Sequence, residues 1–431
     1  HLTLPRIYLW DHSIHFIPGN LYYYSAMPQL IELLYIPALL FGNEITAKVI
    51  HYLFAILTTL VIVKIGSRFA SFKIGLVAGL IFISDLSVAW LSSTAYIDLG
   101  RTFFETVSLY YLICWWQDKK KQDLLKSGLI LGLAISSKYF ALATLSLGLG
   151  FVLLNSSKDK LKNILVFCLP AFFVSGFWFV YAYLYTGNPI YPIFTPNLDS
   201  SHQSQIGGLY NFAKQFYNLS NDPHDWLSPI SPLYLMYLPL IIYIALRNKK
   251  IKTWVLYALG TIIIWYLIPR TGGSRFMVPY LPLFALLVSF SVFNLKQKSI
   301  RKISIFILFS VILFNLTVRM YVNKKTVPLL LGLQTKQEYL IQNLDFSNAF
   351  YDIENKLPSL IDKSEPILII GGHNLFYFPS IFIHESYYQG QSVNYILTQY
   401  KNLPVQYQTD FKLIYQNEKT FSKLYQRKNA N

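Results

Sequence analysis

The sequence predicts a mainly α-helical protein, a polytopic transmembrane bundle followed by a small α/β domain. Three observations carry this. The 431 residues are 54% hydrophobic and 13% charged, about half the charge of an ordinary soluble chain, with a mean hydropathy of +0.38. Apolar segments recur at 44–63, 75–93, 98–116, 127–137, 140–154, 163–185, 232–247, 253–268, 276–293 and 303–321, several of them close to the roughly 20 residues that cross a bilayer as a helix. Beyond residue 321 polar and apolar residues mix, a pattern that hydrocarbon does not hold.

The connecting segments alternate in character. Those at 64–73, 118–126, 156–162, 247–252 and 296–302 are short and rich in Lys and Arg, which places them on the cytoplasmic side. Those at 1–43, 92–97, 186–231 and 269–275 are poor in Lys and Arg and rich in Tyr, Pro, Asn, His and Trp, and are expected outside. Segments 127–137 and 140–154 are each too short to span about 30 Å alone. Both flanks of the pair are basic, so it enters and leaves on one side and turns at SSKYF, residues 136–140, with Lys138 near the outer level.

Three regions follow. Residues 1–43 are aromatic and interrupted by Pro5, Pro18, Pro28 and Pro37, a first extracytoplasmic segment whose helices suit the interface. Residues 44–321 are the transmembrane helical domain. Residues 322–431 are an extracytoplasmic α/β domain, with a helix expected near 335–357, strands at 366–372 and 381–385, a helix near 391–402, and a hairpin from FKLIY and FSKLY. The formal charge of +16 does not point to nucleic acid, because the basic residues sit in the short loops between apolar runs. Cys114 and Cys168 both lie in apolar runs and read as small buried hydrophobes rather than a disulfide framework.

Candidate chemistry collects at one leaflet. The stretch SSTAYIDLGRTFFETVSLYYLICWW, residues 92–116, carries Asp98, Arg101 and Glu105 at i, i+3 and i+7, one face of a helix. Charges in hydrocarbon cost about 2.5–3.5 kcal/mol each even on lenient scales, so such groups face a polar cavity or one another. Lys138 caps the short hairpin, with Tyr139 beside it, and Arg270 and Arg275 flank RTGGSRF. Basic groups beside carboxylates suit an anionic ligand held next to an acid/base group. Each has a structural alternative: Asp98 paired with Arg101 at a helix start, Glu105 as partner of Arg101 or Lys138, Lys138 snorkelling, Arg275 as an interfacial anchor. A metal site from His202, His224 and Asp225 is the weaker reading of the 186–231 loop, and a divalent cation is left open as the one candidate cofactor.

In order along the chain, HLTLPRIYL, NLYYYSAMPQLIELLY, TAYIDLGRTFF, GLAISSKYFAL, TGNPIYPIF, SRFMVPYLPLFALL and HNLFYFP resemble bacterial members of the GT-C superfamily of membrane glycosyltransferases: protein O-mannosyltransferases, aminoarabinose transferases of lipid A and Rgt-type transferases. The resemblance covers most of the chain and implies a GT-C-like helical fold with an outward-facing active site in the plasma membrane of a bacterium. The implied donor is a sugar linked to a polyprenyl phosphate, the acceptor a glycan, lipid or protein, and metal use differs among relatives. The family's catalytic base, a carboxylate in the first outer loop, matches a point just before His1. With no initiator Met and no leader-like start, the sequence reads as lacking that residue and the first membrane helix. Asp98 matches the second acidic position, as the catalytic residue remaining. Lys138 matches the lysine of a TKY-like turn, and Arg275 the arginine before the late Pro-containing helix. Arg270, Arg101, Tyr139 and Glu105 join the expected substrate-binding group.

Two other classes fit a polytopic chain with clustered charge: a transporter or flippase of an anionic lipid or sugar, and a non-catalytic subunit of envelope polysaccharide assembly. Transporters often show inverted repeats and mid-membrane breaks; this sequence has no repeat, and its charges gather at one leaflet. Reporter tags inserted at the Lys138 turn and the Arg275 loop are expected on the same face of the membrane, opposite a tag at residues 119–121. Tags on opposite faces would leave no shared pocket.

Overall fold

The computed structural model describes residues 1–156, 159–193, 195, 209–221, 229–267, 273–347, 349–362 and 365–428. Two compact units emerge from its packing: Met27–Val322, and His1–Ala26 together with Asn323–Asn431. In chain order the helices are α1 (Thr3–Trp10), α2 (Leu30–Leu40), α3 (Glu44–Phe69), α4 (Phe72–Ile83), α5 (Leu86–Leu91), α6 (Asp98–Asp118), α7 (Lys121–Ser137), α8 (Ala141–Asn155), α9 (Lys160–Thr186), α10 (Leu209–Asn221), α11 (Leu233–Met236), α12 (Leu238–Arg247), α13 (Lys249–Leu267), α14 (Leu281–Phe293) and α15 (Lys298–Asn323), with a 3-10 segment, Gly273–Tyr280, leading into α14.

Each apolar segment of the sequence falls on helix. The stretches Glu44–Phe69, Lys160–Thr186, Gly273–Phe293 and Lys298–Leu330 are long and apolar enough to cross a membrane, and the protein is an integral membrane protein. These spans differ in what surrounds them. Gly273–Phe293 is almost wholly buried within the unit, whereas Lys160–Thr186 and Lys298–Leu330 expose most of their length, including Phe173, Leu184 and Phe306. Exposed apolar side chains on a spanning helix are the surface that lipid covers.

Local chemistry sets the boundaries. Asn43 caps α3 by accepting the Ile45 amide at 2.9 Å, with Thr46 completing a capping box. Segment 75–93, which reads as one span, breaks at Ser84–Asp85. Asp85 is fully buried; its Oδ1 accepts the Ser87 and Val88 amides at 2.9 and 3.1 Å, and its Oδ2 accepts the Ser231 amide at 2.6 Å. A carboxylate there ends α4, caps α5 and fixes the approach to α11. Helix α7 begins at Lys121, earlier than its apolar core at 127 suggests, because Lys and Gln tolerate helix at a membrane edge.

Helix contacts rely on small residues, as expected where lipid removes the hydrophobic drive between helices. A Cβ on Gly128 of α7 would lie 2.1 Å from the Phe167 carbonyl oxygen of α9. Ser108 of α6 and Ser127 of α7 each donate to the other's backbone carbonyl at 2.9 Å, and Ser289 of α14 donates to the Ile74 carbonyl of α4 at 2.8 Å.

The second unit adds α16 (Val327–Leu330), α17 (Lys336–Asn343), α18 (Leu357–Leu360) and α19 (Val405–Gln408), with strands β1 (Ile367–Ile370), β2 (Phe382–His384), β3 (Tyr395–Gln399), β4 (Phe411–Asn417) and β5 (Ser422–Arg427). The sheet order is β2-β1-β3-β5-β4, with β1 parallel to β2 and β3 and the β4–β5 hairpin antiparallel. All four residues of β1 are buried, as a central parallel strand requires. Two expectations change. The helix near 335–357 is only Lys336–Asn343, opened by a Thr335–Glu338 capping box and closed where Leu344 turns extended. The helix near 391–402 is instead strand β3, whose Ile396 and Thr398 suit a pleated position between β1 and β5. The N-terminal stretch packs into this unit: Arg6 of α1 donates to the Phe376 carbonyl, and the Trp10 ring meets Phe382 edge-on at 5.8 Å.

Gly128→Leu is expected to force α7 and α9 apart and to cost about 1–3 kcal/mol or more, read as a lowered thermal midpoint of the purified protein in detergent. An unchanged midpoint would refute the close approach.

Candidate functional site

The site is built within the membrane unit from three pieces of chain: the start of α6, the α7–α8 turn and the 3-10 segment Gly273–Tyr280. Asp98 opens α6, preceded by Ile97, which offers no side-chain cap. Lys138 sits where α7 ends, with extended backbone (φ −166°, ψ 128°), so its side chain leaves the helix axis and reaches across to α6. Its Nζ lies 2.9 Å from Asp98 Oδ1; the two side chains are 13% and 1% exposed. The anion beside this turn thus comes from 40 residues upstream.

One turn deeper a second pair lies on α6 itself. Arg101 Nε donates to Glu105 Oε1 at 2.5 Å, with side chains 1% and 3% exposed. Arg101 Nη2 donates to the Tyr280 hydroxyl at 3.1 Å, and Thr144 of α8 donates to Glu105 Oε2 at 2.8 Å. The stripe on one helix face is thus two ion pairs in series. Asp98 meets Lys138, and Arg101 meets Glu105. Buried pairs of this kind persist when further hydrogen bonds satisfy the remaining donors and acceptors, which Tyr280 and Thr144 do here.

Arg275 completes the cluster. Its guanidinium lies 5.2 Å from the Phe276 ring centroid and 4.9 Å from the Tyr96 ring. The Lys138 ammonium lies 4.5 Å from the same Phe276 ring. Two cations therefore share one aromatic ring, close enough to repel, and the ring's negative face offsets part of that cost. Among the described residues no Asp or Glu lies within ion-pair distance of Arg275. The cluster brings Asp98 and Glu105 together with Lys138, Arg101 and Arg275, and among the described residues Arg275 is the one of these three cations that meets no carboxylate. Such a cluster can receive an anion.

Asp98, Lys138, Arg101, Glu105 and Arg275 thus come together. Tyr139 points elsewhere: its hydroxyl donates to the Pro189 carbonyl at 3.1 Å, and its ring stacks on Phe179 at 5.5 Å. Arg270, His202, His224 and Asp225 lie outside the described residues. Among the described residues no group of three or more His, Cys, Asp or Glu gathers as for a metal ion. Sequence reasoning missed Tyr96, Thr144, Phe276 and Tyr280. Phe276 and Tyr280 stand within SRFMVPY, and only their distance from Arg275 along the 3-10 segment hinted at them.

Comparison with known proteins agrees with this architecture. Residues 31–181 match the family described as dolichyl-phosphate-mannose-protein mannosyltransferase. No curated protein matches the chain by sequence search. The fold is similar to that of ArnT from Cupriavidus metallidurans, solved bound to undecaprenyl phosphate, with TM-score 0.64 and 11% identity over 98% of this chain and 92% of that one. The apo form of the same ArnT gives 0.62 and 10%, over 98% and 91%. The oligosaccharyltransferase AglB from Archaeoglobus fulgidus, solved with an inhibitory peptide and a dolichol-phosphate, gives 0.53 and 12%, over 92% of this chain and 64% of that one. The chain has the GT-C fold of membrane glycosyltransferases.

Removing Glu105 alone leaves a buried guanidinium without its carboxylate. Glu105→Ala is expected to cost about 3–5 kcal/mol, and the double variant Arg101→Met with Glu105→Leu to recover most of it, measured by unfolding in detergent. Equal destabilisation of single and double variants would show that the two charges do not depend on each other.

Proposed function

We propose that the protein is an integral-membrane glycosyltransferase. It moves a sugar from a polyprenyl-phosphate donor to a hydroxyl of a glycan, lipid or protein acceptor, at the extracytoplasmic face of a bacterial plasma membrane. The observation that carries this reading is the placement of Lys138 and Arg275 against the same Phe276 ring, with Asp98 against Lys138 and no carboxylate among the described residues against Arg275. A lipid-borne phosphate lies at the membrane surface, and breaking its bond to the sugar concentrates charge on it. Fixed cations in a site that excludes water stabilise such charge far better than cations in bulk solvent.

The chemistry follows. The acceptor oxygen attacks the anomeric carbon from the face opposite the phosphate. The carbon–oxygen bond to phosphate breaks, its electron pair stays with the phosphate, and the acceptor proton passes to a carboxylate base. One such displacement inverts the anomeric carbon. Lys138 has three N–H donors and spends one on Asp98, which leaves donors for phosphate oxygens. Asp98 holds the ammonium in place, while Arg275, lacking a carboxylate among the described residues, supplies the second contact. Arg101 is committed to Glu105 and Tyr280 and serves the site as the charge beneath it. The fold likeness to ArnT, and the mannosyltransferase family matched by residues 31–181, support a prenyl-phosphate donor.

The full chain in detergent is expected to bind undecaprenyl phosphate in preference to undecaprenol. Lys138→Ala should weaken the phosphate roughly 10- to 100-fold, the worth of a charge-assisted hydrogen bond of about 1.5–3 kcal/mol, and leave undecaprenol unchanged. Equal binding of phosphate and alcohol, or an indifferent Lys138→Ala, would overturn the assignment.

A further inference from the structure

Helix α6 opens on Ile97 without a side-chain cap, although the first-turn amides of a helix lack partners within it. The partner comes from another helix. His51 of α3 is fully buried, and its Nε2 lies 3.0 Å from the Leu99 amide nitrogen. Its Nδ1 lies 2.9 Å from both the Leu91 and Thr94 carbonyl oxygens. An amide can only donate and a carbonyl can only accept, so the ring is the neutral tautomer with its proton on Nδ1. One imidazole therefore ties the end of α5, the loop 92–97 and the first turn of α6 to α3.

That loop matters twice. It delivers Asp98, adjacent to Leu99, to Lys138, and it carries Tyr96, whose ring lies under Arg275. Other anchors hold the same loop: Tyr35 donates to the Tyr96 carbonyl, and Arg319 Nη2 donates to Ser93 Oγ at 2.8 Å. His51 is the anchor that reaches α6 itself. It touches neither Lys138 nor Arg275 by any of these bonds, so its influence passes through Asp98 and Tyr96.

We propose that His51 is a positioning residue of the anion site, its two ring nitrogens setting the backbone that aims Asp98 at Lys138 and Tyr96 at Arg275. The inference rests on reading that cluster as a phosphate site. The probe is undecaprenyl phosphate, with undecaprenol as neutral control, against the full chain in detergent. His51→Phe keeps a ring and loses both hydrogen-bonding nitrogens. It is expected to weaken the phosphate about tenfold with undecaprenol unchanged, and to add nothing in the Lys138→Ala, Arg275→Ala double variant, as a residue acting through those cations must. His51→Gln, which carries a donor and an acceptor at its end, should recover part of the loss; a residue that merely fills space would not discriminate Gln from Phe. If His51→Phe does not yield folded protein, His51→Asn takes its place, since its shorter side chain keeps the donor and loses reach to Leu99. A folded His51 variant that binds the phosphate as the parent does, while Lys138→Ala is weakened, overturns the inference and leaves the phosphate reading standing. Should the parent itself not prefer phosphate to alcohol, the phosphate reading fails. His51 is then judged by amide exchange across residues 92–99, which His51→Phe must accelerate if the positioning role is real.

Discussion

The contact between Asp98 and Lys138 is the constraint on which the rest of the site depends. Neither charge is tolerable alone at that depth: a carboxylate 1% exposed and an ammonium 13% exposed would each face a desolvation cost of several kcal/mol. Together they are sustainable, but only while the start of α6 and the α7–α8 turn hold one geometry. The pair therefore makes the electrostatics of the site a property of the helix arrangement. Anything that rotates α6 or lengthens α7 by a residue separates the charges, and the low dielectric that makes the pair useful makes its loss expensive.

The remainder of the membrane unit can be read as support for that geometry. Arg101 and Glu105 repeat the same bargain one turn deeper, tied to α8 by Thr144 and to the 3-10 segment by Tyr280. Asp85 performs a different task with a buried carboxylate, giving its oxygens to three backbone amides, so it ends one helix and begins another instead of meeting a cation. Close approaches such as Gly128 on Phe167 set helix separations that side-chain packing in lipid does not set by itself. Phe276 shows how an apolar residue enters polar chemistry: its ring lies 4.5 Å from the Lys138 ammonium and 5.2 Å from the Arg275 guanidinium, and its negative face offsets part of the cost of holding two cations there.

The likeness to ArnT at 11% identity has a physical basis. In a bilayer most helix positions need only be apolar, so sequence drifts while the segment pattern and the polar contacts between helices maintain the fold. What distinguishes one such protein from another should lie in a few polar and aromatic positions around the site. Here those are Asp98, Lys138, Arg275, Tyr96 and Phe276, spread over nearly 200 residues of chain.

The sequence by itself determined the class and the segment order: ten apolar runs become helix because hydrocarbon leaves the backbone no other way to satisfy its amides, and a change in pattern after residue 321 marks the second unit. It also placed charge at the head of α6, because three charged residues at helical spacing share a face in any context. Which charge meets which was decided by tertiary structure. The i, i+3 spacing permits Asp98 with Arg101, and only the return of the chain at Lys138 turns Asp98 away from it. Tyr139, next to Lys138, was indistinguishable from it as a site residue until packing sent its hydroxyl to Pro189. Residues 391–402 show the same limit in the second unit, where NYILTQY fits either period and pairing with β1 and β5 selected the strand. Local pattern fixes what hydrocarbon and backbone geometry demand of each segment; partners distant in sequence are chosen by the energy of burying them together.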